Sequence, residues 1–213
     1  MKNIFSLDNP VMIFLGKVAD LVILNLLFVF CSAPIVTIGA SATAMCYVTL
    51  KARDGYEGSV MRYFFKSFKE NFVQATGIWI ILSLLAAILG INYRIIRTAD
   101  QFTALFMRIV ICISAILLIM VALYVFFLQA RFQNTILRTL RNALALAIGN
   151  APRCILAGAV SVGAIVMSLL TEGAFQYALP TWTIIGFAAL TKLNCRILCS
   201  NINGLASTDQ KTE

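Results

Sequence analysis

The stretch NLLFVFCSAPIVTIGASATAMCYVTLK, Asn25 to Lys51, decides the fold. It opens with an apolar run, Leu26 to Phe30, and breaks at Pro34. A weakly polar run follows, Thr37, Gly39, Ser41, Thr43 and Thr49, with no charge until Lys51. Proline removes a backbone N–H and disfavours helix in the residue before it, so Pro34 kinks or ends the first helix. In water such a segment is an odd helix. In a bilayer it reads as two helices meeting at the proline. Gly39 and Thr43 are four apart, as are Ala40 and Ala44, and this spacing lets helix backbones approach closely. Asn25, Pro34, Thr37, Gly39, Ser41 and Thr43 therefore read in two ways: as helix-packing residues, or as the lining of a pathway at a broken helix.

Composition supports the membrane. Of 213 residues, 61% are hydrophobic and 12% charged, and the mean hydropathy is +0.90. A soluble domain carries about 25% charged residues, so this apolar excess does not fit inside one soluble core. The net charge is +8 with no histidine. A basic soluble protein suggests nucleic acid; here the basic residues sit between apolar runs, where they face the cytoplasm and anionic headgroups. No cleavable signal peptide is read.

The expected fold is all-α, a polytopic helical membrane protein with about six transmembrane helices and cytoplasmic amphipathic helices. Residues 1–213 form one membrane domain. Segment 1–20 is amphipathic, with a helix start at Asp8-Asn9-Pro10 and with Lys17 and Asp20 spaced to pair at the membrane surface. The broken helix pair covers 21–50. A basic cytoplasmic segment, 51–71, has turns at Asp54-Gly55 and Glu57-Gly58 and an amphipathic helix from Ser59 that is expected to lie on the cytoplasmic face. Two spans follow within 72–128, Phe72 to Ile91 and Ile109 to Leu128, joined by a loop with Arg94, Arg97 and Asp100. The second basic helix, 130–153, carries Arg131, Arg138, Arg141 and Arg153 and no acid. Two more spans fill 154–200, the sixth from about Pro180 with Trp182 near one interface. The loop before it is Glu172 to Leu179, and a polar tail, 201–213, ends the chain.

Lys and Arg counts set the orientation. Both basic islands and the C-terminus, with Lys192, Arg196 and Lys211, fall on the cytoplasmic side of the membrane. If Ile35 to Leu50 spans, there are six crossings and the N-terminus is also inside. If it is re-entrant, there are five and the N-terminus is outside. The six-span reading is preferred.

Little points to chemistry. There is no GxxxxGK[ST] loop, no HExxH and no histidine base. The six cysteines form no CxxC pair, and although Cys195 and Cys199 are four apart, cysteine as a small buried hydrophobe is the simpler reading. No cofactor, metal or enzymatic activity is expected.

Three stretches together resemble the YesL family of bacterial membrane proteins: residues 25–51, FFKSFKENFVQATGIWI at 64–80, and ARFQNT with LRNALALAIGNAPR across 130–153. Asn25, Pro34, Thr37, Gly39 and Ala40 fall on the family's most recognisable motif, as do Phe64, Phe65, Phe68, Asn71 and Phe72. The family has no established activity, and its members tend to be encoded beside carbohydrate ABC importers. The resemblance implies a non-catalytic accessory or subunit of such an uptake system, with ABC permease subunits and the lipid bilayer as partners and no nucleic acid. Arg131, Arg138, Arg141 and Arg153 are then the docking residues. Asn134 to Arg153 sits where a permease carries its ATPase-coupling helix, but it lacks the EAA pattern with its following glycine. An autonomous transporter or channel, and a scaffold or sensor that recruits a soluble partner, are the alternatives. The substrate and the oligomeric state are not legible.

Overall fold

The computed structural model describes residues 10–55, 58–96, 101–132, 134–170 and 174–199. Asp8, Asn9, Glu57, Arg97, Asp100, Glu172 and the tail from 201 lie outside the described residues. The chain is an all-α membrane protein: α1 Pro10–Cys31, α2 Ile38–Arg53, α3 Val60–Ile95, α4 Gln101–Arg131, α5 Ile136–Gly149, α6 Ala151–Leu170, α7 Ala174–Thr181 and α8 Phe187–Leu198. Among the described residues, α1, α2 with its preceding turn, α3, α4 and α6 are long and apolar enough to cross a membrane. The expected sixth span is also helical, but α7 and α8 are joined through five residues of π-helix, Trp182–Gly186.

Large apolar side chains cover the outside. Phe30, Val73 and Phe102 are 80%, 80% and 82% exposed, a surface that suits lipid and not water. The interior is organised around α2. Over half of its apolar window, 56%, is buried, against 11–17% in the other four candidate spans. It joins two clusters. On one side Ala44, Met45 and Val48 meet Leu24 of α1, Phe64 of α3 and Ala188 of α8. On the other, Cys46 and Leu50 meet Ile78 of α3, Tyr124 and Leu128 of α4, Ala143 of α5, Cys154 of α6 and Cys195 of α8.

Small residues make this central place possible. Gly39 lies against α3 so closely that an added Cβ would strike Ala75 O and come within 2.6 Å of Trp79 Cβ. Only glycine fits there. Ala40 and Ala44 are fully buried as well. Pro34, exposed, opens a 3-10 turn, Ile35–Thr37, between α1 and α2. Thr37 Oγ1 lies 2.6 Å from Cys31 O and 2.7 Å from Pro34 O, and its proton can satisfy the Cys31 carbonyl that the end of α1 would leave open. The proline break is thus a tight turn between two helices.

The segment from Ser59 does not form a separate surface helix. It runs straight into the third span as α3, 36 residues and roughly 54 Å long. No proline or glycine interrupts Val60 to Thr76, so nothing breaks the ladder. The hydrocarbon core is about 30 Å thick, and the uncharged run from Phe72 fills it. The first twelve or so residues therefore extend beyond it, bound to the bundle through buried Phe64 and Ser67.

Candidate functional site at the basic end

Asn25 is fully buried. Its Nδ2 donates to Trp182 O at 2.9 Å and Thr183 O at 2.7 Å, and its Oδ1 accepts from Ala188 N at 2.9 Å. All three partners belong to the widened turn between α7 and α8 or lie next to it. Pro180, in the last turn of α7, lacks an N–H, and Thr183 Oγ1 turns back to Leu179 O at 2.9 Å. The π turn leaves backbone groups without their usual partners, and a carboxamide with two donors and an acceptor satisfies them. The Trp182 ring lies 4.9 Å from that of Phe187.

The other residues of the broken-helix motif are also engaged in packing. Thr43 Oγ1 donates to Gly39 O at 3.0 Å. Ser41 is fully buried, and its Oγ has no hydrogen-bond partner among the described residues. Gly39, Ser41 and Thr43 are buried between helices, and none of them lines the large cavity described below.

The second basic helix is amphipathic, but Leu137 and Ile148, part of its apolar repeat in the sequence, stay exposed. α5 buries Thr139, Ala143, Leu146 and Ala147 and turns Arg138 and Arg141 outward. Arg131, at the end of α4, and Arg153, in the first turn of α6, are exposed on either side of it. A polar network beneath α5 holds it to the bundle. Gln129 of α4 is 1% exposed; its Nε2 donates to Gln74 Oε1 at 2.7 Å and Asn71 Oδ1 at 3.2 Å, both on α3. Its Oε1 accepts from Thr139 Oγ1 of α5 at 3.3 Å, and Asn71 Nδ2 donates to Ser67 O at 3.1 Å. Three helices meet in this network. Its signal in the sequence was a set of amides at the edges of uncharged runs, Asn71 and Gln74 opening one and Gln129 closing another.

A recess of about 740 Å³ lies at the end of the bundle where α1 begins, α2 ends, α3 begins and α8 ends. Lys17, Lys51, Arg53, Lys192 and Arg196 line it, with Asp20 as the one carboxylate among the described lining residues. Leu21, Leu24 and Val48 form an apolar floor. Lys51 Nζ stands 5.9 Å from the centre of the Tyr47 ring. The turn at Asp54-Gly55 forms part of the rim, and Gly55 adopts φ 79°, the left-handed conformation that ends helices economically. The sequence marked each of these cations as basic but did not bring them together. Lys17 and Arg53 share one recess only because α1 and α2 form a hairpin, which also places the start of α1 and the end of α2 on the same face.

Cys195 Sγ donates to Cys199 Sγ at 3.4 Å beside this end. Among the described residues no group of three metal-ligating side chains assembles.

Residues 21–93 match the model of a family described as Protein of unknown function, DUF624. This is the YesL family. The YesL match runs from α1 through α2 and α3, so it contains the central helix, Asn25, Gly39, the Asn71 and Gln74 half of the network, and Lys51 and Arg53 of the cavity. The resemblant stretch at 130–153, Gln129, and Lys192 and Arg196 lie beyond the matched YesL residues. No curated protein and no solved structure matches the chain.

Proposed function

We propose that the protein is a non-catalytic accessory or subunit of a bacterial carbohydrate ABC uptake system, held in the cytoplasmic membrane with its C-terminus inside. The uptake assignment comes from the YesL resemblance. The positive-inside tendency supports the orientation, since Lys51 and Arg53 of the cavity and the α5 arginines belong to the two basic segments, and Lys192 and Arg196 lie towards the C-terminus. One observation carries the docking part of the reading. α5 is fixed to the bundle through Thr139 and Gln129 while Arg138 and Arg141 face outward. A rigid helix that presents guanidinium groups beside the membrane suits an acidic or carboxylate-bearing partner surface. The burial of Asn25, Gly39 and Thr43 between helices weighs against the alternative of a pathway along the broken helix.

The test is a mild-detergent pull-down of the tagged protein from native membranes, read by mass spectrometry. An ABC permease pair in near-stoichiometric amount is the expected result. The variant Arg141→Glu, at an exposed position, should weaken recovery of the partner while its stability changes by no more than about 0.5 kcal/mol, as for exposed side chains in general. Recovery of the protein alone removes the accessory reading. Capture of a soluble partner in place of a permease replaces it with the scaffold reading.

A further inference from the structure

We propose that the basic cavity binds a phosphate ester. The positive-inside tendency asks only that Lys and Arg lie on one side of the membrane. Cations spread around the rim of the bundle would meet it equally well. Here Lys17 from α1, Lys51 and Arg53 from the end of α2, and Lys192 and Arg196 from α8 converge on one recess; among the described residues Asp20 lines it with them and Asp54 stands in the turn at its rim. Like charges gathered in a concave site repel one another and focus a field that concentrates anions. Such an arrangement favours an anion among them.

The geometry narrows the anion. The cations approach from three separate helices, which fits a ligand with acceptor oxygens pointing in several directions better than a planar carboxylate. Arginine forks pair with two phosphate oxygens, and lysines add point charges. The first turn of α3 borders the same recess through Val60 and Tyr63, and its N-cap, Ser59, makes no side-chain capping bond. The amides of that turn add to the positive potential. The apolar floor of Leu21, Leu24 and Val48 accommodates a carbon skeleton attached to the phosphate. The ester could be an anionic lipid headgroup entering from the bilayer or a soluble phosphorylated metabolite. The phosphate is common to both.

The experiment uses the full chain, purified and delipidated in an uncharged detergent, with binding read by native mass spectrometry. Three probes are compared: dioctanoylphosphatidylglycerol, glycerol 3-phosphate, and dioctanoylglycerol, which lacks phosphate. At least one phosphate-bearing probe should bind, and dioctanoylglycerol should not. The variant Lys17→Gln/Arg53→Gln/Arg196→Gln removes three exposed charges and should weaken binding roughly a hundredfold at low salt. Arg196→Gln alone should weaken it roughly fivefold, which keeps the test open if the triple variant does not fold. The control Arg94→Gln/Arg108→Gln, in the segments facing the opposite end of α3 and α4, should bind as the unaltered protein does. Preference for the lipid probe makes the ligand a headgroup; preference for glycerol 3-phosphate makes it a soluble ester. Equal binding of dioctanoylglycerol overturns the proposal. So does unchanged binding by the cavity variants, or the same loss in the control.

Discussion

In the middle of the bundle, Asn25 uses both donors and its acceptor on the widened turn, and Thr43 returns its hydroxyl to Gly39. At the basic end, Lys17, Arg53 and Arg196 stand exposed around a cavity. Both regions are polar breaks in an apolar chain. In the first, polar atoms answer other atoms of the same protein, because lipid offers no hydrogen-bond partner. In the second, charge is held near water and directed at something outside the chain. The contrast separates residues that specify the fold from residues that are available for recognition.

Gly39→Leu should break the closed region most severely. A side chain there must displace the α3 backbone at Ala75, and the variant is expected to be lost from membranes or to elute as aggregate in size-exclusion chromatography. Wild-type elution of this variant would mean that α2 does not lie so close to α3. Asn25→Leu comes next. It removes three cross-helix hydrogen bonds and should lower stability by about 2 kcal/mol, with faster amide exchange around Ala188. Unchanged exchange there would show that the π turn does not depend on Asn25. The smallest effect sharpens the contrast from within α2. Ser41→Ala should be neutral or stabilising by about 1 kcal/mol in thermal unfolding, because it removes a buried hydroxyl that has no partner. Clear destabilisation would place an unseen partner at Ser41.

The apolar runs and the small-residue spacing were enough to read the α-helical class and the close approach of α2. These depend on neighbours three or four residues away, which a sequence displays directly. The partner of Asn25 is 157 to 163 residues distant, and no local pattern reveals it. The join of the Ser59 segment to the third span was missed because charge density suggested a surface helix, whereas continuity depends on the absence of a breaker. The Gln129 network left only scattered amides, and the cavity left only separate basic residues. Both become sites once α1, α2, α3, α4, α5 and α8 settle into register.

The same network also fixes a depth. Asn71 and Gln74 open the uncharged run of α3, and Gln129 closes that of α4, so their hydrogen bonds tie two long helices together at one membrane boundary. Lipid tails longer or shorter than the protein's own hydrophobic length then act on an assembly anchored at one side. Adjustment to bilayer thickness, by tilt or by separation of helices, falls to the opposite ends of α3 and α4. The cavity and α5, on the anchored side, keep their shape as the surrounding lipid changes.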